Sequence, residues 1–154
     1  MSRRISAIVA ALGHRLPHPV QQATPFLLWK RAGDLVFISG QVSRFDGLDA
    51  KGKAGVNLNL AQARAAAEWS ALNMLAWLVT ATDDHEARVA SCVKLSGFVS
   101  CSPDFTEQSQ VIGAASDLIV AVFGERGRHA RTAVGVPSLP FDYAVSIDAI
   151  FELG

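Results

Sequence analysis

The sequence predicts one α+β domain, residues 1–154, with its helices on one face of a single sheet. Its 154 residues, half of them hydrophobic, fall in the size range of one compact core. The apolar pattern gives the order strand, strand, helix, strand, helix, strand, strand, with no internal repeat or linker. The last strand alternates between apolar and polar residues, so one of its faces belongs to the core.

The N-terminal segment predicts a surface helix over residues 3–13 rather than a signal peptide. Two arginines precede a short apolar run, but no small-residue cleavage site follows, and the isoleucines and leucines recur at helical spacing. No other stretch approaches the roughly 18 apolar residues that cross a bilayer. We therefore expect a soluble, cytoplasmic protein without membrane contacts.

The segment FLLWKRAGDLVFISGQV predicts two strands joined by a turn at Gly33 and Asp34. The second strand, Leu35 to Val42, is apolar on both faces as far as Ser39, which is typical of an interior strand. Residues 44–57 are rich in Gly, Asp and Lys and predict a solvated loop.

Two long helices are predicted in the middle of the chain. Asn59 and Gln62 have the spacing of a capping box at the start of an alanine- and leucine-rich helix that packs on the sheet. After a third strand, Ser102 and Pro103 stand in the order expected at the start of a second helix, and Gly124 is a suitable end for it.

The closing segment supplies two strands separated by PSLPFD. In the last strand Val145, Ile147, Ala149, Phe151 and Leu153 share one face, and Ser146, Asp148, Ile150 and Glu152 share the other. The second face is polar enough to meet water, a partner subunit or a ligand.

Composition argues against several classes of function. Lys plus Arg and Asp plus Glu both number 14, so no net positive field attracts nucleic acid. The histidines lack metal-ligand spacing, and no glycine-rich loop opens a helix to hold phosphate. We expect neither a metal nor a cofactor, reduced cysteines, and tryptophans that serve packing.

Three segments carry a resemblance to a known family: GDLVFISGQV from Gly33, RTAVGVPSLP from Arg131, and VSIDAI near the C-terminus. Together they resemble the RidA family, also called the YjgF/YER057c/UK114 family, and residues 104–131 resemble its longer branch with an extra N-terminal helix. The resemblance implies a chorismate-mutase-like fold, a homotrimer, and ligand clefts between subunits.

The resemblance also implies a role for Arg131. In deaminating members an arginine at this position holds the carboxylate of a 2-imino or 2-aminoacrylate compound while water attacks the imine carbon, which yields a 2-keto acid and ammonia. The planar guanidinium suits this role because it can donate two parallel charge-assisted hydrogen bonds. Further ligand-binding positions implied by the family are Phe26, Ser39, Gly40, Gln41 and Ala133.

Two positions depart from the deaminating pattern. Ser146 replaces a glutamate that positions or activates water, and Phe26 replaces a tyrosine. Serine alone is not a base near neutral pH, and losing one proton-transfer group typically lowers a rate by about 10²–10⁴. Asp148 could replace the glutamate only if the ligand shifts, and His129 is either a base or a solvated residue leading the strand.

Three hypotheses therefore stand. The first is an imine deaminase that uses Arg131 and Ser146. The second is a protein that binds small carboxylates or keto acids without turnover, and the third, less favoured by the neutral charge, is an endoribonuclease. Arg131 could also form a structural ion pair at a sheet edge or trimer seam.

Overall fold

The structure is a computed structural model that describes residues 2–154. Its main elements, in chain order, are α1 (Ile5–Ala11), β1 (Trp29–Ala32), β2 (Leu35–Val42), β3 (Arg44–Phe45), β4 (Leu48–Asp49), α2 (Leu60–Thr82), β5 (Val89–Ser100), α3 (Gln108–Phe123), β6 (Ala130–Val136) and β7 (Val145–Leu153). Short 3-10 turns lie at Glu86–Arg88, Gly124–Gly127 and Pro140–Asp142.

Five strands form the main sheet in the order β1-β2-β7-β5-β6. The first four are antiparallel to their neighbours, whereas β6 lies parallel to β5 at the sheet edge. The connection from β5 to β6 therefore crosses over through α3, as parallel pairing requires. The predicted hairpin at Gly33 and the interior position of β2 are both confirmed.

Both long helices lie on one face of the sheet. α2 packs mainly on β2 and β7, and α3 packs on β5 and β6. The apolar set of the last strand faces them and is fully buried, which confirms the predicted alternation. The largest side chains of this core include Phe151, Ile147, Leu95, Ile112, Met74 and Leu75. This is the predicted α+β architecture with helices on one face.

Local sequence signals fix the start of α2 and the end of α3. The predicted capping box is formed. The backbone N–H of Gln62 donates to Asn59 Oδ1 at 2.8 Å, and the backbone N–H of Asn59 donates to Gln62 Oε1 at 2.9 Å. α3 ends at Phe123, and Gly124 follows it with φ of 61°, a conformation that glycine adopts without strain. The predicted stop at Gly124 is confirmed.

Two local predictions are wrong. α3 begins at Gln108 rather than at Ser102, because the Ser102 amide donates to the Ala54 carbonyl at 3.0 Å and ties this segment to the preceding loop. The predicted loop over residues 44–57 contains the two-stranded ribbon β3–β4. Its turn places Asp46 and Gly47 at φ of 46° and 87°, as an Asp-Gly hairpin turn requires.

The tryptophans pack against the core. Trp77 is buried, and Trp69 and Trp29 lie partly buried against the core cluster. Trp69 also contacts the ring of Phe45, with the ring centroids 5.8 Å apart. Within residues 2–154 no helix has the length and apolarity needed to cross a membrane.

Candidate functional site

A β-bulge in β2 brings part of the predicted ligand set together. Between Ile38 and Gln41 three steps along β2 face two steps along β7, so one extra residue is accommodated around Ser39 and Gly40. A Cβ at Gly40 would lie 3.0 Å from the hydroxyl of Ser146, so glycine allows this close approach. Ser39 donates to the Leu27 carbonyl at 2.6 Å.

Phe26, Gly40 and Gln41 line one wide cavity. It has a volume of about 760 Å³ and is also lined by Lys51 and Tyr143. The ring of Phe26 is 56% exposed, while Gln41 is buried and donates to the Ser39 carbonyl at 2.9 Å. The structure therefore groups Phe26, Gly40 and Gln41 in one cavity, with Ser146 against Gly40.

Arg131 lies elsewhere, on edge strand β6. It is paired with Leu95, whose side chain is buried beneath the helices, so Arg131 shares the helix-facing side of the sheet. Its guanidinium reaches along α3, where one nitrogen donates to Ser109 Oγ at 2.8 Å and another to Ser116 Oγ at 3.2 Å. Ala133 follows two residues later on the same side.

Ser116 connects Arg131 to His129. The Nδ1 of His129 lies 2.7 Å from the Gly127 carbonyl, which can only accept, so Nδ1 carries the proton of the neutral ring. Nε2 then accepts from the Ser116 hydroxyl at 3.0 Å, and that hydroxyl oxygen accepts from Arg131. His129 is half-buried, which corrects its interpretation as a solvated residue.

No carboxylate neutralises Arg131 within the part of the chain that the structure describes. Its partners are the oxygens of Ser109 and Ser116, all of them uncharged. By contrast, Arg64 lies 3.7 Å from Asp117, and Arg88 lies 2.6 Å from Asp83. Within the described chain Arg131 therefore forms no ion pair at the sheet edge, and its hydrogen bonds go only to uncharged oxygens.

Within one chain Arg131 and Ser146 cannot contact the same small carboxylate. Across the sheet Arg131 pairs with Leu95, and Leu95 pairs with Ala149 of β7. Ala149 lies three residues from Ser146 along that strand. Three residues and two strand spacings place the Cα atoms roughly 14 Å apart. Ser146 also faces the opposite side of the sheet, because it pairs with half-buried Phe98 rather than with the core.

The open face of the sheet carries the other polar residues of β7. Asp148 is half-buried there opposite Ser96, and burial raises the pKa of its carboxyl, while the Ser96 hydroxyl and Lys94 act in the opposite direction. Glu152 accepts from Ser91 Oγ at 3.1 Å and is exposed. Neither carboxylate points toward Arg131, since both share the face of Ser146.

The contacts of Arg131 with α3 were not predicted from the sequence. Ser109 and Ser116 are seven residues apart, which is two helical turns, so both hydroxyls lie on the side of α3 next to β6. That spacing is the one signal that could have found them. Among residues 2–154, no group of three His, Cys, Asp or Glu side chains is positioned to hold a metal ion.

Comparison with known proteins identifies the family. The family model described as YjgF/chorismate mutase-like, putative endoribonuclease, matches residues 5–153. The chain belongs to this family. The YjgF family fold accounts for the one main sheet and the one-sided helices described above.

Individual relatives agree with this assignment. Protein TCP17 of Trypanosoma cruzi is 44% identical over 154 residues, which cover 99% of this chain and 96% of that protein. Protein Atu1372 of Agrobacterium tumefaciens, of unknown function, superimposes with a TM-score of 0.90 at 40% identity, covering 97% and 93% of the two chains. TdcF of E. coli with bound serine shares the fold at a TM-score of 0.56 and 20% identity, covering 90% and 93%.

Proposed function

We propose that this member of the YjgF family binds small 2-imino or 2-keto carboxylates through Arg131 and hydrolyses the imines. The observation that carries the proposal is the half-buried guanidinium of Arg131, which has only uncharged oxygen partners on α3. A carboxylate can accept two charge-assisted hydrogen bonds from such a group. The serine bound to the fold neighbour TdcF also bears a carboxylate.

The site is proposed to be completed by a second copy of the chain in a homotrimer. The Arg131 half and the Ser146 half lie roughly 14 Å apart on opposite faces of one sheet, so a single chain presents each half separately. The open face also exposes apolar side chains, Phe37 at 42% and Val134 at 40%, that a second sheet would cover. We expect the trimer to form in the cytoplasm.

The proposed reaction needs one water molecule and no cofactor. Water forms the new C–O bond at the imine carbon, the C=N electron pair moves to nitrogen, and a proton of the water is transferred to that nitrogen. In the resulting carbinolamine the hydroxyl proton is transferred to the amino nitrogen, the C–N bond breaks to release ammonia, and the hydroxyl oxygen becomes the carbonyl of the 2-keto acid. We assign the transient proton acceptor to His129, which is linked to Arg131 through Ser116.

Binding without turnover is the second candidate, and two residues favour it. Ser146 supplies no carboxylate, and Phe26 supplies no hydroxyl. If His129 does not serve as the base, the same arginine would retain a keto acid without chemistry. The endoribonuclease activity in the family description is less favoured here, because the formal net charge is zero.

The test measures the rate at which 2-keto acid is released from 2-imino acids that an amino-acid oxidase generates in situ. Wild type, Arg131→Ala, His129→Asn and Ser146→Glu are compared at equal concentration, with Arg128→Ala as the control, because Arg128 is exposed and pairs with Glu125. Acceleration by wild type that Arg131→Ala and His129→Asn lose supports the hydrolase. Activity in Ser146→Glu alone supports the binding protein, and none in any variant, without keto-acid binding, overturns both.

A further inference from the structure

A second cavity lies at the far end of β6 from Arg131. It has a volume of about 510 Å³, within the range of small-molecule sites. It is bordered by the loop before α2, the segment that joins β5 to α3, and the last residues of β6. Its lining side chains are mostly apolar, with Lys53, Ser102 and Gln108 as the polar exceptions.

Lys53 supplies the charge of this cavity. Its side-chain amine donates to Ser100 Oγ at 3.3 Å and to the Pro137 carbonyl, and both of these oxygens are uncharged. In the ion pairs of residues 2–154 Lys53 has no carboxylate partner, whereas nearby Lys51 lies 3.9 Å from Asp49. An ammonium has three donors, so one N–H remains for a ligand in the cavity.

Ser102 and Gln108 add neutral hydrogen-bonding groups. The hydroxyl oxygen of Ser102 is buried and has no hydrogen-bond partner in the described chain. Gln108 donates from its side-chain amide to the Phe105 carbonyl at 2.7 Å, which fixes the amide at the cavity wall. A Cβ at Gly135 would come within 2.8 Å of that amide nitrogen, so glycine keeps this wall in place.

The apolar walls and the single charge define the ligand class. Val56, Phe105 and Val136 provide hydrocarbon contact, together with Pro103 and Pro137. One unpaired ammonium balances one negative charge, which suits a carboxylate better than a phosphate with nearly two charges. We propose that this cavity is a second ligand site, which binds a monocarboxylate with an aliphatic or aromatic body through Lys53.

This site is distinct from the one built on Arg131. Arg131 does not line the cavity, and Gly135, which does, stands four residues farther along the same side of β6. Four residues of strand span roughly 13 Å. A ligand here can therefore bind whether or not the Arg131 site carries out hydrolysis.

Hexanoate is the probe for this site, with hexanol as its uncharged equivalent. The titrations use an Arg131→Met background, so that the proposed Arg131 site does not contribute. Calorimetry should show saturable binding of hexanoate in this background, and no more than about a tenth of that affinity when Lys53→Met is added. Lys51→Met in the same background is the control, and it should bind hexanoate as its parent does. In nuclear magnetic resonance spectra the side-chain amide signals of Gln108 should move on addition of hexanoate.

A second pair of variants keeps the test valid if Lys53→Met fails to fold. Val56 lines the cavity and is 66% exposed, so Val56→Asp and Val56→Lys change its charge without burying a new group. The aspartate should weaken hexanoate binding, and the lysine should strengthen it. Equal binding of hexanol, equal affinity in all Lys53 and Val56 variants, or no hexanoate binding at all in the Arg131→Met background would overturn the proposal.

Discussion

Gly97→Ala tests how closely α3 approaches the sheet beside Arg131. Gly97 lies in β5, level with Ala133 on β6 and Ile147 on β7. A Cβ at this position would lie 2.5 Å from Cδ1 of Ile112 and 2.7 Å from its Cγ2, well inside contact distance. Ile112 is fully buried on the side of α3 that faces the sheet. With alanine at position 97, either α3 has to move away from the sheet or the Ile112 side chain has to leave its rotamer.

The expected magnitude follows from that overlap. Overpacking a core by one methyl group destabilises by about 1–3 kcal/mol. For a chain of this length each kcal/mol lowers the melting temperature by about 2–4 °C, so Gly97→Ala should lower it by about 2–12 °C. Ser109 and Ser116 lie on either side of Ile112 in α3, so their hydrogen bonds to Arg131 should also lengthen.

The assay is thermal and urea unfolding followed by circular dichroism at one fixed protein concentration. Gly113→Ala is the matched control, because its Cβ would meet only Arg64 at 3.5 Å, and alanine there should stabilise α3 by about 0.5–1 kcal/mol. In a double-mutant cycle, Ile112→Ala should remove most of the cost of Gly97→Ala. Additive effects of the two substitutions would refute the contact.

Three further predictions concern single residues. Asn59→Ala removes the capping box of α2 and should lower the free energy of unfolding by about 0.5–2 kcal/mol in urea titrations; an unchanged midpoint would contradict this. The neutral form of Asp148 is favoured by folding, because burial raises the pKa of its carboxyl above 3.8. The neutral carboxyl therefore contributes its full stability below pH 3.8, and this contribution is lost as the pH rises through the raised pKa. The difference in unfolding free energy between wild type and Asp148→Asn should change between pH 3.8 and the raised pKa and be constant at higher pH. Burial raises the pKa of the Cys92 thiol to about 12, so mass spectrometry should find Cys92 unmodified by iodoacetamide at pH 8 until the protein unfolds.

Much of the fold is encoded in local sequence patterns. The alternation of β7 predicts which of its faces is buried, because one face of an antiparallel strand meets the helices and the other does not. The capping box and Gly124 predict the start of α2 and the end of α3. The start of α3 was not predictable, because Ser102 and Pro103 form a good local start signal that the hydrogen bond to Ala54 overrides.

The candidate site was predictable only in part. Resemblance to the family identifies Arg131 and Ser146, but no pattern along the chain shows that they lie on opposite faces of the sheet. That follows from the pairing of β5 with both β6 and β7, which is a long-range feature. The contacts of Arg131 with Ser109 and Ser116 depend on how α3 crosses back over β6. The position of the Lys53 side chain depends on its hydrogen bond to the Pro137 carbonyl, which is far away in the sequence.

The most direct test of the central claim is the binding of pyruvate, a 2-keto acid, to wild type and to Arg131→Met. Binding is measured by titration calorimetry, and the mass of the assembly is measured in the same buffer. Loss of two charge-assisted hydrogen bonds, each worth about 1.5–3 kcal/mol, predicts affinity lowered at least about a hundredfold with an unchanged mass of the assembly. Equal affinity in the variant, or dissociation of the assembly, would contradict the assignment of Arg131 as the carboxylate anchor.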